Sequence, residues 1–154
     1  MQIYLASPDQ TTQLGGQLAS LLKPGDVIAL YGDLGAGKTS LARGLIQALM
    51  QEEIEVPSPT FTILQTYETD IAPVFHYDLY RLKTEDELFE LGWEDTLSGI
   101  TLIEWPERAG TLLPECRLNI HFKIETLGRT LNFDPSGTDW QGRINEYSLQ
   151  VSGN

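Results

Sequence analysis

Basic residues are scarce in this chain: ten Lys and Arg stand against 22 Asp and Glu, a net charge of −12. Proteins that grip nucleic acid on their own need a basic patch to displace counterions from phosphates. This chain has little to build one with, so direct, independent binding of RNA or DNA is not expected. Cysteine is nearly absent. The single Cys116 forbids an internal disulfide and points to a structural thiol in a cytoplasmic protein. No apolar run approaches the roughly 18 residues of a membrane span. The opening MQIYLASPDQ lacks the basic start and long apolar stretch of a secretory signal. Repeats, low-complexity tracts and linkers are missing too. What remains is 154 residues, read as one domain with a single sizeable core.

The acids are unevenly spread. Residues 84–107 hold Glu85, Asp86, Glu87, Glu90, Glu94, Asp95, Glu104 and Glu107 with no Lys or Arg. Such a stretch is either a solvated acidic face or a docking surface for a basic partner.

The pattern along the chain predicts alternating strands and helices. Residues 2–5 read as a short strand. Ser7-Pro8-Asp9-Gln10 starts a helix, with Ser as cap, Pro at the first position and Gln completing a capping box. Val27–Tyr31 is a continuous apolar run, as a central parallel strand covered on both faces requires. Leu41, Leu45, Ile46 and Leu49 form the apolar stripe of a second helix. Thr62–Tyr67 and Val74–Asp78 read as an antiparallel pair, and Thr84 with Glu87 caps a helix stopped at Gly92. Thr101–Trp105 is a strand ended by Pro106. Arg117–Glu125 and Arg129–Phe133 form a hairpin turning at Leu127-Gly128. In the tail, Trp140, Ile144 and Tyr147 share one side of a short helix that docks on the domain's own core.

Between the apolar strand and the second helix stands Gly32-Asp33-Leu34-Gly35-Ala36-Gly37-Lys38-Thr39, which matches G-x4-G-K-[ST]. Its glycines let successive amides curl inward around a phosphate, and the following helix adds the positive end of its dipole. Lys38 reaches the terminal phosphates, the Thr39 hydroxyl ligates Mg²⁺, and Ser40 follows in the same first turn. This is a nucleotide-binding loop. None of the four lysines follows an asparagine, so the Asn-Lys-x-Asp guanine motif is absent and ATP is the expected nucleotide.

In open α/β sheets, ligands sit beyond the carboxyl ends of parallel strands. Asp78 and Glu104 each end an apolar strand, where a magnesium-holding or water-orienting carboxylate belongs. The antiparallel pairing returns Ser58-Pro59-Thr60-Phe61 to the same edge. There the Thr60 hydroxyl can answer to Mg²⁺ or the γ-phosphate as part of a switch loop. His76 and His121 read as structural histidines.

Together these residues resemble the TsaE family (also called YjeE), ATPases needed for threonylcarbamoyladenosine formation on tRNA. The likeness spans residues 7–133. It rests on Thr11-x-x-Leu14-Gly15, the glycine loop, Ser58-Pro59-Thr60-Phe61, His76-Tyr77-Asp78-Leu79-Tyr80-Arg81, Ile103-Glu104-Trp105-Pro106-Glu107 and Gly128-Arg129. The resemblance implies a P-loop NTPase-like mixed sheet with a parallel centre, antiparallel flanks and helices on both faces. It implies slow ATP hydrolysis with Mg²⁺ held through Thr39 and Glu104. Asp78 would support that site, Trp105 would shape it, and Thr11 and Arg129 would lie near the base or ribose. The implied partner is the TsaD–TsaB pair, with tRNA met only through that complex. Residues 135–154 extend past the matched part. Two other readings are a small-molecule kinase, disfavoured because its six arginines stand singly and make no phosphate-clamping lid, and a nucleotide-sensing module with negligible turnover.

Overall fold

The computed structural model describes residues 1–152; the side chains of Thr138 and residues 147–152, Tyr147 among them, lie outside the described residues. Seven strands form one sheet: β1 (Gln2–Leu5), β2 (Val27–Tyr31), β3 (Leu64–Tyr67), β4 (Val74–Asp78), β5 (Ile100–Glu104), β6 (Arg117–Glu125) and β7 (Gly128–Ser136). Their order is β1-β7-β6-β2-β5-β4-β3. The four central strands, β6, β2, β5 and β4, are parallel. Antiparallel pairs flank them, β3 on one side and β7 followed by β1 on the other. The expected mixed sheet is present.

Side-chain alternation divides β2 between two cores. Ile28 and Leu30 face a core built with helices α1 (Pro8–Ala19), α2 (Lys38–Met50) and α5 (Thr138–Ser152). Val27 faces a second core with α3 (Asp86–Glu90), α4 (Trp93–Thr96) and the 3₁₀ turn Pro106–Leu112. Each fully buried Leu or Ile contributes about 1.5–3 kcal/mol, which is why a run apolar on both faces belongs at the sheet's centre.

Helix α1 starts as its sequence predicts: Ser7 Oγ accepts from the Gln10 amide at 3.3 Å. The Gln10 side chain reaches one residue further back than a standard capping box, accepting from the Ala6 amide at 2.7 Å. Helices α1 and α2 cross in backbone contact. A Cβ on Gly44 would meet the Thr12 carbonyl oxygen at 2.0 Å, and one on Gly15 would meet that of Leu41 at 2.3 Å. Only glycine permits this approach, and it brings Thr11 against the glycine loop.

Several boundaries move from their sequence-based places. β5 ends at Glu104 because Trp105 adopts a left-handed backbone, φ 58°. β3 begins at Leu64 because residues 59–63 close a turn, with the Ile63 amide donating to the Pro59 carbonyl at 2.7 Å. β7 runs on through Pro135 to Ser136. Its pairing with β1 stops at Asn132, so the proline's missing N–H falls on an open side. The helix after Thr84 stops before Gly92 (φ 79°) as expected, and a second short helix, α4, follows it. Glu87 still caps the first, accepting from the amides of Lys83 and Thr84.

The tail docks on the chain's own core: Trp140 and Ile144 are buried there. Arg143 fastens it, donating to both Asp26 carboxylate oxygens at 2.6 and 2.9 Å and to the Leu21 carbonyl at 2.8 Å. Its guanidinium also lies 3.9 Å over the Trp140 ring. The Asp26 bonds raise the Arg143 pKa above its ordinary value. Both partners are nearly buried, so losing one strands the other. Arg143→Ala should cost about 3 kcal/mol of stability, read as a lower urea midpoint at unchanged slope. A loss under about 1 kcal/mol would mark an ordinary surface pair.

Candidate functional site

The glycine loop leaves the carboxyl end of β2 and runs into α2, as a phosphate-binding unit requires. Gly35 (φ 78°) and Gly37 (φ 107°) hold left-handed backbone that other residues adopt at a cost. Gly37 stands at the N-cap of α2, and no side chain caps that end. The first-turn amides therefore keep their donors for a ligand, and the dipole favours an anion there. Leu34–Ser40, Ser58, Thr60, Asp78, Glu104 and Trp105 line a cavity of about 240 Å³.

At the centre of this cavity Lys38 is only 4% exposed. Its Nζ donates to the Gly32 carbonyl at 2.6 Å and sits 3.6 Å from the centroid of the Trp105 ring. These contacts hold a cation beside the loop. Burial pulls the Lys38 pKa below 10.5, while Glu104, Glu107, Asp78 and Asp33 push the other way. A bound phosphate would restore the ammonium, so binding takes up a proton wherever the free protein has lost it. ATP affinity should therefore fall as pH rises above the lowered pKa, by up to about tenfold per pH unit. Calorimetric titration across that alkaline range checks this, and a flat profile up to 10.5 would overturn it.

Asp78 and Glu104 do share the edge. They are register partners at the ends of the parallel strands β4 and β5, and both are buried. The Thr39 hydroxyl donates to Glu104, 3.0 Å from Oε1 and 3.1 Å from Oε2. His76 Nε2 lies 2.7 Å from Glu104 Oε2. Thr60 donates to Asp78 Oδ2 at 2.8 Å and shares a 2.7 Å hydrogen bond with Ser58. The antiparallel return of residues 58–61 thus places a hydroxyl pair on the acid. Two residues with left-handed backbone, Trp105 and Ile63, flank the site. Such strain gathers where a loop must be aimed.

These groups fit Mg²⁺–ATP. Among the described residues no cluster of three His, Cys, Asp or Glu side chains could cage a metal. Magnesium in such sites needs only one or two protein oxygens beside phosphate and water. Thr39 and Glu104, already in contact, could supply them.

A second cavity of about 300 Å³ adjoins the first, sharing Gly35, Gly37 and Ser40. Thr11 and Arg129 both line it, together with Ser7, Pro8 and Gly128. Arg129 has a further task that sequence reasoning missed. Its Nε donates to the Ala36 carbonyl at 3.1 Å and an Nη to the Gly35 carbonyl at 3.0 Å. The guanidinium clamps the outward face of the glycine loop, 93 residues away in sequence. The bond between His76 and Glu104 was also invisible, because a histidine two residues before a strand-end acid carries no signal of its partner on another strand. Asp33 does not enter the lining of either cavity. Phe61, Leu34 and Tyr80 are exposed around the rim, Phe61 at 80% with Arg81 stacked on its ring.

Residues 5–131 match the family model described as "Threonylcarbamoyl adenosine biosynthesis protein TsaE". The chain is 42% identical over 123 residues to the tRNA threonylcarbamoyladenosine biosynthesis protein TsaE of Rickettsia felis, covering 79% of this chain and 72% of that one. It is 40% identical over 119 residues to the Bacillus subtilis protein of the same description, covering 76% and 73%. The crystal structure of Bacillus subtilis YdiB superposes with a TM-score of 0.81 at 31% identity, over 98% of this chain and 95% of that one. Identities of this size, spread along most of the chain, go beyond a shared fold: the chain belongs to the TsaE family.

Proposed function

We propose that the protein is a slow, Mg²⁺-dependent ATPase serving the threonylcarbamoylation of adenosine 37 in tRNA, in concert with the TsaD–TsaB pair. One observation carries the nucleotide half of this reading: Thr39 and Glu104 are in hydrogen-bond contact beside Lys38, under an uncapped helix N-terminus. The relatives' printed description supports the tRNA half.

Each residue then has a task. The first-turn amides of α2 and Lys38 bind the phosphates, Lys38 exchanging the Gly32 carbonyl for a phosphate oxygen. Thr39 and Glu104 would hold Mg²⁺, which when bound would neutralise charge on the phosphate oxygens. Asp78, tied to Thr60 and through it to Ser58, couples the acid edge to the switch loop. Thr11 and Arg129 enclose the base and ribose side. Trp105 packs over Lys38 and keeps the pocket narrow. No helix among the described residues is long and apolar enough to cross a membrane, in keeping with work beside tRNA in the cytoplasm.

ATP hydrolysis is measured on the protein alone, then with purified TsaD–TsaB and tRNA. Turnover should be slow alone and rise with the partners; no hydrolysis in either state would leave only a nucleotide sensor. Binding to TsaD–TsaB should be tighter with ATP than with ADP. It should weaken as salt rises, since a chain of net charge −12 attracts through screened fields. Equal affinity with ATP, ADP and no nucleotide would sink the switch. Tight tRNA binding by this chain alone would show that the acidic balance was misread.

A further inference from the structure

His76 has no part in the chemistry above, yet it is fully enclosed beside it. Side chains two apart on a strand point the same way, so His76 shares a face of β4 with Asp78. His76 is the register partner of Leu102, and Asp78 that of Glu104. The histidine therefore sits one step behind the acid. Its Nε2 reaches Glu104 Oε2 at 2.7 Å, and Glu104 is only 3% exposed. A carboxylate only accepts, so Nε2 carries the hydrogen of this bond. Among the described residues Nδ1 has no hydrogen-bond partner. A histidine kept for its own satisfaction in a core is bonded at both nitrogens; the one bond this histidine makes there goes to the acid.

The two oxygens of Glu104 are otherwise equivalent. Thr39 serves both, at 3.0 and 3.1 Å, and the terminal torsion of Glu is broad and roughly twofold. Only His76 tells them apart. We infer that His76 is a positioning residue: its Nε2–H pins Oε2 and leaves Oε1 as the oxygen offered to Thr39 and the metal. This rests on the reading of Glu104 as the metal-directed acid.

The test measures Mn²⁺ affinity of the ADP complex by electron paramagnetic resonance, beside steady-state ATP hydrolysis. His76→Leu fills the space without a donor; the amide nitrogen of His76→Gln can stand where Nε2 stands. Outer partners of this kind are worth about 10- to 100-fold in metal affinity or activity. His76→Leu should lose at least about tenfold in Mn²⁺ affinity and in kcat, with KM for ATP within about twofold. His76→Gln should recover most of both. Equal Mn²⁺ affinity in wild type and both variants would overturn the inference. Glu104→Ala is the control: if it leaves Mn²⁺ affinity unchanged, the reading of Glu104 fails first. If only the His76 variants are silent, the positioning role alone fails. Should the Leu variant not fold, ¹⁵N resonances of the wild-type imidazoles decide the matter, with only two histidines to assign. A protonated Nε2 on His76, with its resonance disturbed in Glu104→Gln, is expected. A protonated Nδ1 with a bare Nε2 would overturn the inference whatever the variants do.

Discussion

Lys38→Ala should yield a folded protein that binds ATP roughly thirty- to 150-fold more weakly than wild type. A charge-assisted hydrogen bond to phosphate is worth about 2–3 kcal/mol, and Lys38 is the cation held beside the glycine loop. The fold tolerates the loss because its structural role is slight. Removing the side chain forfeits one bond to the Gly32 carbonyl and one ring contact. It also relieves the desolvation that lowers the Lys38 pKa. Calorimetric titration with ATP, alongside circular dichroism, makes the comparison. Unchanged affinity in a folded variant would falsify the phosphate-loop assignment.

Glu104→Gln should cut hydrolysis about a hundredfold or more while nucleotide binding changes about threefold or less. The amide keeps the size of the side chain, and its oxygen still accepts from Thr39 and His76, so the site stays assembled. Only the negative charge is lost, and with it the proposed anchor for Mg²⁺. The substitution has a second consequence. Glu104 is the foremost of the acids raising the Lys38 pKa against burial. In the variant, Lys38 loses its proton at lower pH, so the alkaline decline in ATP affinity should begin earlier. Wild-type turnover by the variant would make Glu104 a bystander. An unmoved pH profile would mean the two charges do not share one field.

Much of this architecture was legible from local rules. The glycine loop declares itself because its spacing, its strand and its helix are adjacent in the chain. The apolar run Val27–Tyr31 could only be a strand buried on both faces. Asp78 and Glu104 could be put on one edge because parallel strands ending in acids bring those ends together. The return of Ser58–Phe61 followed from antiparallel geometry alone. Boundaries were read less well, since Trp105 and Ile63 take backbone conformations that sequence disfavours and that only their surroundings impose.

What the sequence by itself determined was the set of groups that follow one another along the chain: a phosphate loop, two strand-end acids, a hydroxyl loop and an acidic balance. Periodicity and spacing act over a turn or a strand, so they encode these groups. The tertiary structure alone decided which distant partners complete them. It brought Arg129 onto the Gly35 and Ala36 carbonyls and His76 onto Glu104. It set Thr11 against the loop through the glycine crossing of α1 and α2, and Arg143 on Asp26. These contacts depend on strand order and helix crossing, which arise from burying both faces of one sheet, and no local pattern specifies them.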